Sequence, residues 1–200
     1  MLTIIGFSHH RCPVGLREQI TFDSGQYHVY SKEISSLLNS DSVIFLSTCN
    51  RSEIIIETKC AFDKDIVLSW LATHMHIGLD KIQNNYYVHT NFTAVTHLLN
   101  VCCGLHSKLV GESQIFGQFK KAYTLAKKHE QLSPKLDRLI QELFTITKRI
   151  RASTKIDQYT GSISKTIKAL ALKHVNAGSK LKILAIGTGE MTMSALKAWD

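Results

Sequence analysis

Two hundred residues and 22.5 kDa, with 44% hydrophobic and 20% charged residues, describe a globular chain of one large or two small domains. This composition excludes disorder and fibrous repeats, and 11 glycines with 2 prolines leave no flexible linker, low-complexity stretch or proline-rich tract. The net charge of +8 is uneven: residues 1–100 carry 7 Lys and Arg against 9 Asp and Glu, a net of −2, while residues 101–200 carry 17 against 7, a net of +10. A basic half fits a polyanionic partner such as nucleic acid, or else lysines that only solubilise helices.

Leu2 to Phe7 is a short β-branched and aromatic run, so the amino terminus reads as a first strand; it lacks the basic region and cleavage site of a signal peptide. No apolar run approaches the roughly 18 residues that cross a bilayer, and a cytoplasmic chain without membrane contact is expected. Ser24 to Leu38 sets Tyr27, Tyr30, Ile34, Leu37 and Leu38 at helical spacing. Val43 to Leu46 and Ile54 to Ile56 are strands joined by a tight connection, Ser47 to Glu53. Asp63 or Asp65 caps a helix bearing Ile66, Val67, Trp70 and Leu71, and Tyr86 to Val88 supplies a fourth strand. The order β-α-β-β-α-β is that of the ferredoxin-like split unit, ending near His89.

From Asn91 the pattern is helical. Asn91 caps a helix with Val95, Leu98, Leu99 and Val101, and Ser113 caps one with Ile115, Phe119, Tyr123 and Ala126. Ser133 and Pro134 open a third, with Leu136, Leu139, Ile140, Leu143, Phe144 and Ile150 on one face and Arg138, Lys148, Arg149, Arg151 and Lys155 on the other. A helix from about Ser162 to Val175 follows, then a buried-type strand at Lys182 to Ile186, the turn Gly187-Thr188-Gly189 and a helix start, as in a dinucleotide-binding domain. The fold class is therefore α+β: a ferredoxin-like βαββαβ domain (1–90) with appended helices (91–155), followed by the beginning of a Rossmann-type α/β domain (156–200).

Three segments carry candidate chemistry. Ser47-Thr48-Cys49-Asn50-Arg51 places a cysteine in a loop between strands, with an arginine able to lower its pKa or grip a carboxylate; a half-buried cysteine near a surface arginine is the plainer alternative. Cys12, Cys60, Cys102 and Cys103 fit that plainer role, and the odd count of five argues against a disulfide framework. Gly104 to Gln118 is a polar, glycine-bearing loop between helices, suited to a small polar ligand or serving only as a connection; His97, one turn above it, can act as an acid or base or be a satisfied helix histidine. Gly187 to Thr192 supplies the first two positions of a pyrophosphate turn, with Thr192 where glycine or alanine is usual. The ten histidines are scattered without acidic or cysteine companions at metal spacing, so no metal is expected.

Taken together, Gly6-Phe7-Ser8-His9 with Pro13-Val14 and Arg17-Glu18, Leu46 to Glu53, Gly104-Leu105 through Tyr123, Gly161 to Ser164, and Gly187 to Met191 resemble the glutamyl-tRNA reductase family along the whole chain. The resemblance implies a two-stage reaction in tetrapyrrole biosynthesis. Cys49 attacks the glutamyl ester of glutamyl-tRNA(Glu) to give a thioester, which NADPH reduces to glutamate-1-semialdehyde. It also implies that His97 is catalytic, that Thr48, Asn50, Arg51, Ser107, Glu112, Ser113, Gln114 and Gln118 surround the glutamate, and that Gly187, Thr188, Gly189, Glu190, Met191 and Thr192 hold the cofactor. As partners it implies a homodimer formed through a helix beyond Asp200, and channelling to glutamate-1-semialdehyde aminotransferase. The sequence departs from the family pattern at Ser8, His10, Cys12, His106 and Thr192; His106 alters the electrostatics of the polar loop, and Thr192 crowds the turn. The competing reading is a truncated, non-reducing tRNA-binding or regulatory module.

Overall fold

The computed structural model describes residues 1–156, 163–174, 182–188, 190–197 and 199. Strands β1 (Leu2–Ser8), β2 (Ser40–Ser47), β3 (Arg51–Thr58) and β4 (Tyr87–Thr90) form one antiparallel sheet in the order β2-β3-β1-β4. That is the split β-α-β arrangement the alternating periodicities predict, with β3 inserted between β1 and β2. Helices α1 (Val14–Arg17), α2 (Tyr27–Leu38), α3 (Lys64–His74) and α4 (Leu79–Gln83) lie among the strands, and a 3-10 turn at Ser24–Gln26 leads into α2. The short α1 and α4 are below the length at which periodicity is legible. Asp63 caps α3 by accepting from Asp65 N at 3.0 Å.

β-strands alternate sides, so the sheet has two different faces. One presents Ile5, Phe7, Val43, Phe45, Ile54 and Ile56 to α2 and α3, where Phe45 contacts Tyr27, Tyr30 and Trp70. This face is almost wholly apolar, and each fully buried Ile or Phe contributes about 1.5–3 kcal/mol. The other face carries Ile4, Ile44, Leu46 and Ile55 together with Arg51 and Glu53, covered by α5 (Asn91–Cys102). Asn91 does not cap α5: Thr90 occupies the cap position, its N–H donating to Thr93 Oγ1 at 3.0 Å. Asn91 Oδ1 instead accepts from Leu2 N at 3.3 Å and ties the helix start to β1.

Helices α6 (Gln114–Lys128) and α7 (Pro134–Thr154) complete the helical part. Ser133 caps α7 by accepting from Leu136 N at 3.0 Å, with Pro134 in the first turn, as its spacing predicts. Ser113 holds the cap position of α6, but its hydroxyl makes no cap bond. Arg151, expected on the solvated basic face of α7, is buried. Its guanidinium reaches back to the carbonyls that end α5, and the helical spacing of the charged residues does not reveal such an inward turn.

Helices α8 (Ile163–Lys173) and α9 (Glu190–Lys197) follow; Ser162 and Val175, expected at the ends of α8, lie outside the described residues. Lys182 to Ile186 forms no strand and is exposed, with Leu184 85% and Ile186 87% accessible. A buried parallel strand exists only through neighbouring strands, and none among the described residues pairs with this segment. Among the described residues, the strand expected to begin a Rossmann-type sheet is therefore not seen as a strand.

Candidate active site

The connection between β2 and β3 is built by its own side chains. Thr48 N donates to Arg51 O at 2.8 Å, and Thr48 Oγ1 accepts from Asn50 N and Arg51 N at 3.2 and 3.1 Å. A threonine hydroxyl that gathers the next backbone amides fixes a tight turn and leaves its central residue outward. That residue is Cys49, which is exposed. Two further contacts hold the loop from outside. Arg17, buried on α1, donates through Nε to Cys49 O at 3.0 Å and through Nη1 to Cys12 O at 2.8 Å, and His9 N donates to Asn50 O at 3.0 Å.

The other cysteines differ. Cys12, Cys102 and Cys103 are buried, and burial pushes each thiol pKa up. Cys60 is exposed, not packed as a small hydrophobe, but it lies beyond β3 at the far end of the hairpin from Cys49.

Beneath the loop lies a buried ionic cluster. Arg51 is 2% exposed and Glu53 fully buried, two positions apart on the same face of β3. Glu53 Oε1 accepts from Arg51 Nη1 at 2.9 Å, from His97 Nε2 at 2.8 Å, and from the Tyr87 hydroxyl. Burial alone would raise the Glu53 pKa; the hydrogen bond and charge of His97, then Arg51 and Tyr87, outweigh it and hold the carboxyl at about 2. Tyr87 is pushed the other way, well above its usual value, by burial and by Glu53, so it remains a donor. Arg51 Nη2 donates to His106 O, tying the cluster to the polar loop. Two of the five guanidinium donors are engaged by these bonds, which leaves donors for a carboxylate.

Histidines surround this centre. His97, 5% exposed on α5, stacks on His89 with ring centroids 4.4 Å apart and lies 5.3 Å from His106. Burial, and then the charge of His97, lowers the pKa of both neighbours, that of His106 to about 4. His106 is therefore uncharged at neutral pH.

The polar loop closes on itself. Gly104 takes φ +77, and a Cβ there would lie 2.7 Å from Glu112 O, so only glycine fits; Gly111 N donates to Gly104 O at 2.9 Å. Arg151 fastens the closure from outside: Nη1 donates to Cys103 O at 3.0 Å and to Cys102 O and Glu112 O at 3.4 Å, and Nη2 to Gly111 O at 3.0 Å. Ser107 is buried within the loop, Glu112 half-buried, and Ser113 and Gln114 exposed. Gln118 lines a separate cavity of about 180 Å³ with Ser47, Asp23 and Lys121. The structure thus joins Arg51 to His97 and to the polar loop, with Cys49 on the turn above.

Glu53, Tyr87, Arg17 and Arg151 escape sequence reasoning. For Glu53 a signal exists: opposite charges two positions apart in a strand whose other residues are apolar. At the turn expected to hold the nucleotide, Gly187 takes φ +102, Thr192 Oγ1 lies 3.7 Å from where its Cβ would be, and α9 begins at Glu190. Thr188 is exposed, Gly189 lies outside the described residues, and the side chains of Glu190 and Met191 are likewise outside them.

Comparison with known proteins bears on the family and the fold. Residues 5–154 match the family model described as glutamyl-tRNA(Glu) reductase, N-terminal domain. The glutamyl-tRNA reductase of Aliivibrio fischeri is 35% identical over 202 residues, covering 100% of this chain and 48% of that protein. That of Pseudomonas fluorescens is 36% identical over 186 residues, covering 93% and 43%. The solved structure of glutamyl-tRNA reductase from Methanopyrus kandleri superimposes with a TM-score of 0.69 at 27% identity, covering 98% of this chain and 46% of that one. The chain spans just under half the length of the relatives it matches. With three quarters of its residues matched by the family's own model, the chain belongs to the glutamyl-tRNA reductase family.

Proposed function

We propose that the chain carries out the acyl-transfer half of glutamyl-tRNA reduction, the step that commits glutamate to tetrapyrrole biosynthesis. The observation that carries this reading is an exposed Cys49 on a hydrogen-bonded turn directly before a buried arginine linked through Glu53 to His97. The Cys49 thiolate attacks the ester carbonyl that joins glutamate to the terminal ribose of tRNA; the new C–S bond forms as the C–O bond breaks, and the ribose oxygen leaves with a proton. His97 supplies that proton. Arg51 turns its remaining donors to the γ-carboxylate of the glutamyl group, a planar pairing that a lysine would not reproduce. Thr48, Asn50, Ser107, Glu112, Ser113 and Gln114 contribute the polar contacts that select glutamate, while Gln118 lines the cavity behind Ser47.

The basic half offers the tRNA its phosphate contacts. Lys121, Lys128, Lys148, Arg149 and Lys155 are exposed on or beside α6 and α7. NADPH supplies the hydride that reduces the thioester when it is bound. The positive φ of Gly187 and the start of α9 three residues later fit a pyrophosphate turn, with Thr188, Gly189, Met191 and Thr192 completing it. Dimerisation and transfer of the semialdehyde to an aminotransferase belong to the same reading, as does a cytoplasmic setting. Among the described residues no helix is long and apolar enough to cross a membrane.

The experiment is single-turnover acylation with glutamate-labelled glutamyl-tRNA. Label should become bound to the protein, be released by hydroxylamine, and disappear in Cys49→Ser while persisting in Cys60→Ser. Equal labelling of Cys49→Ser would remove Cys49 from the reaction. Salt-sensitive tRNA binding without any adduct would favour the binding-module alternative, which the +10 half motivates.

A further inference from the structure

The cluster beneath Cys49 contains a carboxylate that the acyl transfer does not consume. We propose that Glu53 is a positioning residue that fixes the tautomer of His97, so that Nδ1 is the nitrogen presented to substrate, and that Tyr87, reaching Glu53 across Gly6, locks Glu53 in place. The inference rests on the acyl-transfer reading and deepens it.

Three observations lead there. First, Oε1 of Glu53 receives His97 Nε2 at 2.8 Å, Arg51 Nη1 at 2.9 Å and the Tyr87 hydroxyl. An ionised carboxylate only accepts, so Nε2 must carry a hydrogen. In the neutral ring the lone pair then sits on Nδ1, and in the charged ring Nδ1 carries the transferable proton. Second, Nδ1 is buried and has no hydrogen-bond partner among the described residues, although the ring belongs to a densely bonded cluster. A buried polar atom without a partner is uncommon, and here it is the atom that acid–base exchange with a substrate requires. Third, the sheet is shaped for the arrangement. Glu53, Gly6 and Tyr87 form one row across β3, β1 and β4, and the Tyr87 ring lies where a Cβ on residue 6 would be, with ring atoms 2.5–2.7 Å from that position. Glycine at position 6 is the window through which Tyr87 reaches Glu53.

The groups facing His97 are Glu53 and Arg51 from β3, Tyr87 and His89 from β4, and His106 from the polar loop. Only Glu53 brings negative charge at neutral pH. Removing it destabilises the imidazolium relative to the neutral ring.

The test measures acylation by glutamyl-tRNA against pH, alongside nitrogen NMR of histidine-labelled protein. In Glu53→Gln the rate should fall about 100-fold at neutral pH, with its midpoint displaced to lower pH. In Tyr87→Phe, Oε1 loses a donor and its charge bears more fully on His97, so the midpoint should move the opposite way. The neutral His97 ring of the wild-type protein should show a protonated Nε2 and an unprotonated Nδ1. Unchanged rate and midpoint in a folded Glu53→Gln overturn the proposal, as does a neutral wild-type ring protonated at Nδ1. If Glu53→Gln does not fold, Tyr87→Phe and the wild-type spectrum still decide. Wild-type protein that takes no label refutes the acyl-transfer reading instead, while the spectrum tests the tautomer on its own.

Discussion

Replacing Gly6 by alanine puts a methyl group into the space of the Tyr87 ring, whose nearest atoms lie 2.5–2.7 Å from the new carbon. Separations below 3 Å cannot be held, and backbone on both sides is fixed by β-pairing, since Gly6 pairs with Glu53 on one side and with Tyr87 on the other. The ring must move. Overpacking of this kind costs about 1–3 kcal/mol. Displacing Tyr87 also breaks its hydrogen bond to a buried carboxylate, worth about 1.5–3 kcal/mol. A combined loss of about 2–4 kcal/mol is expected, because a partial shift relieves the clash at the expense of the bond. With a urea slope of about 2 kcal/mol/M, the unfolding midpoint should fall by about 1–2 M. Tryptophan fluorescence reads the transition, since Trp70 is 6% exposed in the core on the opposite face of the sheet. The decisive arm is the double variant. In a Tyr87→Ala background the space is empty, so Gly6→Ala should be neutral or stabilising by up to about 1 kcal/mol, as expected for alanine over glycine inside a strand. A coupling of about 2 kcal/mol or more between the two sites is therefore predicted. Equal losses in both backgrounds, or no loss in the first, would refute the window argument.

Two further outcomes follow from the buried charges. Arg151→Met should strip hydrogen bonds from the carbonyls of Cys103 and Gly111, destabilise the protein by about 2–4 kcal/mol, and raise amide exchange through residues 104–113; Arg151→Lys should restore little, because an ammonium lacks the planar fork. The protection pattern checks it, and unchanged exchange in that loop would contradict it. Acid should destabilise the fold in two stages. The His106 pKa is lowered from 6.5 to about 4, so the unfolded chain binds its proton first and stability declines as pH falls through that window; His9 and His89 shift the same way. Glu53 is lowered from 4.5 to about 2, so its contribution of roughly 3 kcal/mol is fully present above 4.5 and lost toward 2. Urea midpoints measured against pH should show both stages, with His106→Gln flattening the upper and leaving the lower.

Much of this arrangement was legible in the chain and some was not, for identifiable reasons. The split unit follows from two hydrophobic periods in alternation, and α7 from Ser133 and Pro134, because local chemistry specifies both. The Cys49 turn is likewise local, written in Thr48 and in the short gap between strands. Arg51 reads as a surface group waiting for a carboxylate, whereas it is buried and already engaged with one. That difference comes from Tyr87 and His97, which lie 34 and 44 positions away from Glu53 and converge on it only through sheet register and helix packing. Arg151 is misjudged for a related reason. A 3.6-residue period marks the apolar stripe of α7, and an arginine at its margin can point outward or lend its aliphatic stem to the core while its head reaches carbonyls of another element. The strand at Lys182 to Ile186 depends on neighbours, so its apolar composition alone does not form it.

The two faces of the sheet make the final point. The α2–α3 face shows that this backbone closes a core with Ile5, Phe7, Val43, Phe45, Ile54 and Ile56 and needs no ions to do so. On the opposite face, at matching depth, stand Arg51, Glu53 and His97, with the half-buried Tyr87 bonded to them. Desolvating such charges costs several kcal/mol each, and well-packed apolar side chains of similar volume commonly serve stability as well or better. A fold maximising stability has no use for this cluster, and a glycine cut into the central strand to admit Tyr87 weakens the sheet further. What the cluster provides that an apolar core cannot is orientation. On the proposed reading it aims a guanidinium and fixes which imidazole nitrogen holds the proton, both among buried groups under the turn that presents Cys49. The position of the ionic cluster, more than the exposure of any single thiol, is what favours Cys49 over Cys60 for the proposed role of nucleophile.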